Sequence, residues 1–143
     1  MKKRVIIKEI QPEAYRAMNA LEKYLHKSSV SAGLKELIKI RASQLNGCAY
    51  CLEIHTRDAR KNGETEQRLY ALSAWWESPL FSEREKAVLD FTDRLTLTRG
   101  KGIPDGIYGS LENWFNEKEM AEIIMQIITI NAWNRIAVST HLR

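Results

Sequence analysis

Residues 41–57 read RASQLNGCAYCLEIHTR, and the order of these residues decides how the chain is built. Asn46-Gly47 is a helix-stopping pair, because glycine enters left-handed backbone without steric cost. A helix ending there restarts at Cys48 and runs to about Lys61, where Asn62-Gly63 stops it again. The restart places two cysteines in the first turn of a helix and His55 on its next turn.

Outward from this junction the apolar spacing is helical almost everywhere, and only Val5-Ile6-Ile7 hints at a short extended start. Pro12 suits the first turn of a helix reaching about Lys27. Ser31 can cap the next, whose stripe is Leu34, Leu37, Ile38 and Leu45. Beyond Gly63, a helix is expected from about Thr65 to Trp75. Ser82 with Glu85 has capping-box spacing and opens a helix carrying Ala87, Val88, Phe91 and Leu95. Gly100 to Pro104 reads as a loop, after which Asp105 begins a shorter helix with Tyr108, Leu111 and Trp114. Asn116 with Glu119 repeats the capping pattern before a long final helix. That helix is apolar nearly all round (Met120, Ile123, Ile124, Ile127, Ile128, Ile130, Trp133), so it is expected at the centre of a subunit or against a partner subunit. The expected fold is all-α, a single domain over residues 1–143 with about six to seven helices, and oligomeric.

Composition excludes several function classes. No apolar run is long enough to span a bilayer, since Glu122, Gln126, Asn131, Asn134 and Arg135 interrupt the richest one. Met1-Lys2-Lys3-Arg4 is followed by three apolar residues and then Lys8, which is no export signal, so the protein reads as cytoplasmic. Residues 1–46 carry ten Lys/Arg against four Asp/Glu, and residues 47–143 carry twelve against fourteen. The basic third resembles a nucleic-acid footprint only superficially: Lys23, Lys27, Lys35 and Lys39 alternate with apolar residues at helical spacing, which is a solvated helix face. Neither nucleic acid nor membrane is expected as a partner. The Trp75, Trp76, Trp114, Phe115 and Trp133 set reads as core or subunit contacts, and Gly100-Lys101-Gly102 lacks the pattern of a nucleotide-binding loop.

The chemistry concentrates in the cysteine pair. Two cysteines two residues apart, in a compartment that keeps thiols reduced, point to catalysis or metal binding. A helix N-terminus stabilises a thiolate, which is the nucleophilic form, and a second cysteine nearby can capture the oxidised first one as a disulfide. His55 is four residues after Cys51 and shares its helix face, whereas Cys48 lies two turns back. Cys51 is therefore the expected attacking sulfur and Cys48 the resolving one. A carboxylate is needed to orient His55. Glu53 points away from it on the same helix, so Glu36 on the preceding helix is the expected partner. Zinc would want a fourth ligand that Cys48, Cys51 and His55 do not supply, so no metal and no cofactor is expected. His26 and His141 have no nameable partner.

Glu36, eleven intervening residues and then Cys48-x-x-Cys51-x-x-x-His55 resembles the motif of the alkylhydroperoxidase D (AhpD)-like family, within the carboxymuconolactone decarboxylase superfamily. Asn131-Ala132-Trp133-Asn134-Arg135 resembles a recurring feature of its small members, and the likeness is strongest over about residues 34–74. The resemblance implies an all-α antioxidant enzyme assembling as trimers or hexamers, in which the second cysteine attacks peroxide and the first resolves it. It further implies a proton relay of Glu36 and His55, working through water. Recycling would come from a dithiol, in some members one carried on a dihydrolipoyl protein. This chain departs from the best-studied members in having Tyr50 where they have a histidine. A phenol with a pKa of about 10 takes up no proton at neutral pH but can donate a hydrogen bond to sulfur or peroxide oxygen. The decarboxylase branch lacks this cysteine pair, which argues against lactone decarboxylation.

The expected activity is thus reduction of hydrogen peroxide or organic hydroperoxides. The alternatives are a dithiol–disulfide oxidoreductase acting on another protein and a non-enzymatic redox or zinc-binding module. Leu45, Ile54 and Trp133 are candidates to line an apolar approach.

Overall fold

The computed structural model describes residues 2–143. It contains eight α-helices: α1 (Ile7–Ile10), α2 (Pro12–His26), α3 (Ala32–Asn46), α4 (Ala49–Lys61), α5 (Glu66–Ala71), α6 (Glu83–Thr96), α7 (Asp105–Glu112) and α8 (Glu117–Thr140). A 3₁₀ turn, Leu72–Ala74, extends α5. There is no strand among the described residues. The count exceeds the expected six to seven by the single turn α1, where the sequence suggested an extended start. Its Cβ-branched residues adopt helix because the turn packs on α2 and is not paired with another strand.

The helix starts follow from local chemistry. The side chains of Ser31, Thr65, Ser82 and Asn116 each accept the backbone N–H three residues on, and Ser82–Glu85 and Asn116–Glu119 form complete capping boxes. Such a cap is worth about 1 kcal/mol. No helix is long and apolar enough to cross a membrane among the described residues.

Helix α3 is the hub, packing on α4, α6 and α8. Leu34, Ile38 and Ala42 join Val88 and Phe91 of α6 and Ile123, Ile127 and Ile130 of α8 in one apolar cluster. Leu37 and Ile40, on another side of α3, pack with Ala59, Leu69, Leu72 and Leu89. Full burial of a side chain of this size contributes about 1.5–3 kcal/mol. Helix α8 is central along much of its length, as its composition suggests, but Ile128 and Val138 remain 44% and 45% exposed. Among the aromatics, Trp75 and Phe115 are core while Trp76 and Trp114 are half exposed.

Candidate active site

Helix α3 ends on Gly47, which sits at φ 64°, ψ 35°. The amide of Gly47 donates to the Gln44 carbonyl and that of Cys48 to Ser43, closing the end of the helix. Only a left-handed residue makes this reversal, and a Cβ there would strain the turn. Cys48 then serves as the N-cap of α4, with its Sγ accepting the Cys51 amide at 3.3 Å. Cys48 and Cys51 are joined as a disulfide across this first turn, with Cα atoms 5.3 Å apart. Both are buried, at 2% and 5% exposure.

A polar lattice between α3 and α8 fixes the junction. Asn46 donates from Nδ2 to Asn131 Oδ1 and Asn134 Oδ1, both at 2.9 Å. Asn134, fully buried, donates in turn to Ser43 Oγ at 2.9 Å, and Ser43 donates to the Lys39 carbonyl. Asn131 is held by Thr96 Oγ1 and its own helix, and Arg135 donates to Asn131 Oδ1. These asparagines were legible in sequence only as a family-like string and a helix breaker. Their function in the structure is to bolt the end of α3, and hence Cys48, to α8.

His55 and Glu36 meet across α3 and α4, with Nδ1 and Oε2 3.4 Å apart and both side chains largely buried. Lys39 Nζ donates to the other carboxylate oxygen, Oε1, at 3.1 Å. Burial alone would push the Glu36 carboxyl up, but the facing His55 ring and the Lys39 ammonium outweigh it and hold Glu36 below the usual carboxylate range. Lys39 is thus a third member of the set that spacing did not single out, although its i,i+3 relation to Glu36 was available in the sequence. Glu53 is exposed and takes no part.

The disulfide is flanked by two cavities. One, of about 260 Å³, is lined by Cys51 and His55 with Tyr15, Glu22, Ile54 and Trp133 among its walls. Trp133 is held there by Nε1 donating to Glu22 Oε1 at 2.8 Å and by an edge-on contact with Tyr15. Trp133 and Ile54 thus stand where an apolar approach to Cys51 was expected, so Trp133 is more than the core or subunit contact read for the aromatic set. Leu45, on α3, is not part of the wall that Ile54 and Trp133 line. The second cavity, of about 300 Å³, is lined by Cys48 together with Val138, His141 and the last residues. Tyr50 packs on the pair and lines both. Among the described residues no cluster of three or more His, Cys, Asp or Glu side chains is arranged to hold a metal ion.

A helical hub carrying a C-x-x-C disulfide at a helix start defines the AhpD-like class of fold. The chain belongs to the carboxymuconolactone decarboxylase family, whose model matches residues 12–94. It is 45% identical over 139 residues to the uncharacterized protein YdfG of Bacillus subtilis strain 168, covering 97% of this chain and 95% of the relative. It superposes with TM-score 0.95 and 38% identity on a protein of unknown function from Agrobacterium tumefaciens described as a candidate antioxidant defence protein AhpD, covering 99% of this chain and 97% of that one. The debrominase Bmp8 also shares the fold, at TM-score 0.84 and 20% identity over 94% of this chain and 73% of its own, a likeness that extends to fold alone.

Proposed function

We propose that the protein is a thiol peroxidase in which Cys51 attacks the peroxide and Cys48 resolves the product. The observation that carries this reading is the placement of Cys51 at the wall of a small, largely apolar cavity beside His55, with Cys48 already within disulfide reach. The Cys51 thiolate attacks one peroxide oxygen, the O–O bond breaks, and Cys51 becomes a sulfenic acid. The departing alkoxide or hydroxide takes a proton and leaves as alcohol or water, and His55 is the group placed to hand over that proton. Cys48 thiolate then attacks the Cys51 sulfur and expels hydroxide, which leaves as water once protonated, giving the disulfide. An external dithiol restores both thiols. Glu36, held by Lys39, orients His55. Tyr50 lines both sides of the pair and contributes a phenol O–H in place of a second imidazole.

The cavity of about 260 Å³ beside Cys51 has room for a small hydroperoxide, and both sulfurs are buried, which favours a small oxidant over a folded protein's disulfide. The test is peroxide consumption by reduced protein with hydrogen peroxide and cumene hydroperoxide, supported by dithiothreitol. Consumption should be abolished in Cys51→Ser. In pre-reduced Cys48→Ser freed of dithiothreitol, consumption should stop after one turnover, leaving a sulfenic acid that dimedone traps on Cys51. Consumption no faster than background, or persisting in Cys51→Ser, overturns the reading.

A further inference from the structure

The two cavities on either side of the disulfide are not equivalent, and thiol–disulfide exchange makes the difference consequential. A thiolate attacks a disulfide sulfur in line with the bond it breaks, so each sulfur is reached from the side opposite its partner. Cys51 lines the cavity with His55, Trp133 and Glu22, which Cys48 does not reach. Cys48 lines the other cavity, whose walls include Val138 and His141; the two cavities adjoin, sharing Tyr50, Ala137 and Leu142. Resting on the peroxidase reading above, we propose that the two substrates use different entrances: peroxide meets Cys51, and the reducing dithiol attacks Cys48 from the Val138–His141 cavity.

Two features favour this polarity. The nucleophile in the reductive step is an anion, and the Glu22 carboxylate lines the Cys51 cavity while no Asp or Glu side chain lines the Cys48 one among the described residues. A neutral hydroperoxide is indifferent to Glu22, but a thiolate is not. Attack on Cys48 also makes Cys51 the leaving group, next to His55, the residue on its own helix face that can take up the developing charge. Lower leaving-group basicity speeds exchange. The thiolate of the dithiol bonds to Cys48 Sγ, the S–S bond breaks and its electron pair leaves on Cys51. The second thiol of the reductant, as thiolate, then attacks its own sulfur in the mixed disulfide and frees Cys48. The dithiol departs oxidised, and Cys51 is returned as the thiolate needed for the next peroxide.

The experiment begins from protein oxidised to the disulfide with diamide, so it does not depend on peroxide turnover. Brief exposure to 2-mercaptoethanol, an acid quench with N-ethylmaleimide and peptide mass spectrometry should place the mercaptoethanol adduct on Cys48 and the maleimide on Cys51, in at least ten-fold excess over the reverse pattern. The reverse pattern, or an even mixture, overturns the proposal. In kinetics, Val138→Trp should slow reduction by dithiothreitol at least ten-fold more than it slows oxidation by cumene hydroperoxide, and Ile54→Trp should do the opposite. Equal effects on both half-reactions overturn separate entrances. If wild-type protein forms no disulfide with any hydroperoxide, the peroxidase reading fails, while the adduct pattern still decides which sulfur a thiol attacks.

Discussion

His55 Nδ1 faces Glu36 Oε2 across 3.4 Å, and among the described residues neither atom has another hydrogen-bond partner. The carboxylate thus acts on the ring, while the rest of the imidazole is left toward the cavity it shares with Cys51. On the proposed peroxidase mechanism, this arrangement gives proton transfer to His55 and positioning to Glu36. His55→Gln should slow peroxide-driven disulfide formation by about 10²-fold or more, the usual scale for a general acid–base group. Glu36→Gln, which leaves the ring in place but removes its counter-charge, should cost roughly ten-fold. Single-turnover loss of thiols after mixing with cumene hydroperoxide measures both. A Glu36→Gln effect as large as that of His55→Gln would move Glu36 from positioning into the proton path.

Lys39 should matter through Glu36 alone. Its ammonium holds Oε1 at 3.1 Å, on the side of the carboxylate away from His55. Lys39→Met removes that anchor, so Glu36 loses part of what holds its pKa down, and the acid limb of the pH–rate profile should shift upward. Lys39→Arg keeps the charge and should restore the profile. Rates measured across pH 4–8 check it, and a Met variant with the wild-type profile would detach Lys39 from the site.

Acid stability follows from two carboxylates held below the usual range. In Glu85, burial pushes the carboxyl up, but the Arg68 guanidinium and the Ser82 backbone amide outweigh it, as His55 and Lys39 do for Glu36. A depressed native pKa adds stability that is complete above the unfolded value of about 4.3 and disappears as pH falls through the lower native value. Urea unfolding from pH 7 down to 3 should therefore show a falling midpoint on the acid side. Glu36→Gln and Glu85→Gln should each flatten that fall.

What the sequence disclosed, and what it concealed, divides along the same physical line. Ser82, Glu85, Asn116 and Glu119 act within one helical turn, so spacing alone placed those helix starts. Gly47 and Cys48 were readable for the same reason, as a stop followed by a start. Trp133 and Glu22 are 111 residues apart, and Asn46 and Asn134 are 88 apart. Their pairings exist only because α8 docks on both α2 and α3, and no periodicity within one helix records which faces meet. Leu45 shows the limit most clearly. It precedes Cys51 closely in the chain, yet it lies on the other side of the Gly47 turn, on α3, and is not in the wall that Ile54 and Trp133 form. Glu36 lay within reach of inference because α3 and α4 are consecutive and joined by a tight turn, which forces an antiparallel pairing.

The buried asparagine at the heart of the α3–α8 lattice gives an ordered set of stabilities. Asn134 is fully buried, accepts from Asn46 through Oδ1 and donates to Ser43 through Nδ2. Replacing it with Ala strands no charge: Asn46 Nδ2 keeps Asn131 Oδ1 at 2.9 Å and loses one of its two acceptors on a side chain that is only partly buried, and Ser43 still donates to the Lys39 carbonyl at 2.7 Å. The loss is then two net hydrogen bonds and a small cavity, about 1–3 kcal/mol. Asn134→Asp preserves the shape and the acceptor, so side-chain volume alone would rank it the milder change. It nonetheless removes the donor to Ser43 and places a carboxylate where exposure is zero and no cation bonds to it. Burying an unpaired charge costs more than a lost hydrogen bond, and the group escapes only by taking up a proton. Asn134→Asp should therefore be less stable than Asn134→Ala at pH 7, and should recover toward it as pH is lowered, opposite in sign to the acid loss expected from Glu36 and Glu85. Urea midpoints of the two variants at pH 7 and pH 5 measure the order. An Asp variant as stable as Ala at pH 7 would mean that the lattice is wet and that the end of α3 is not fixed by buried polar contacts.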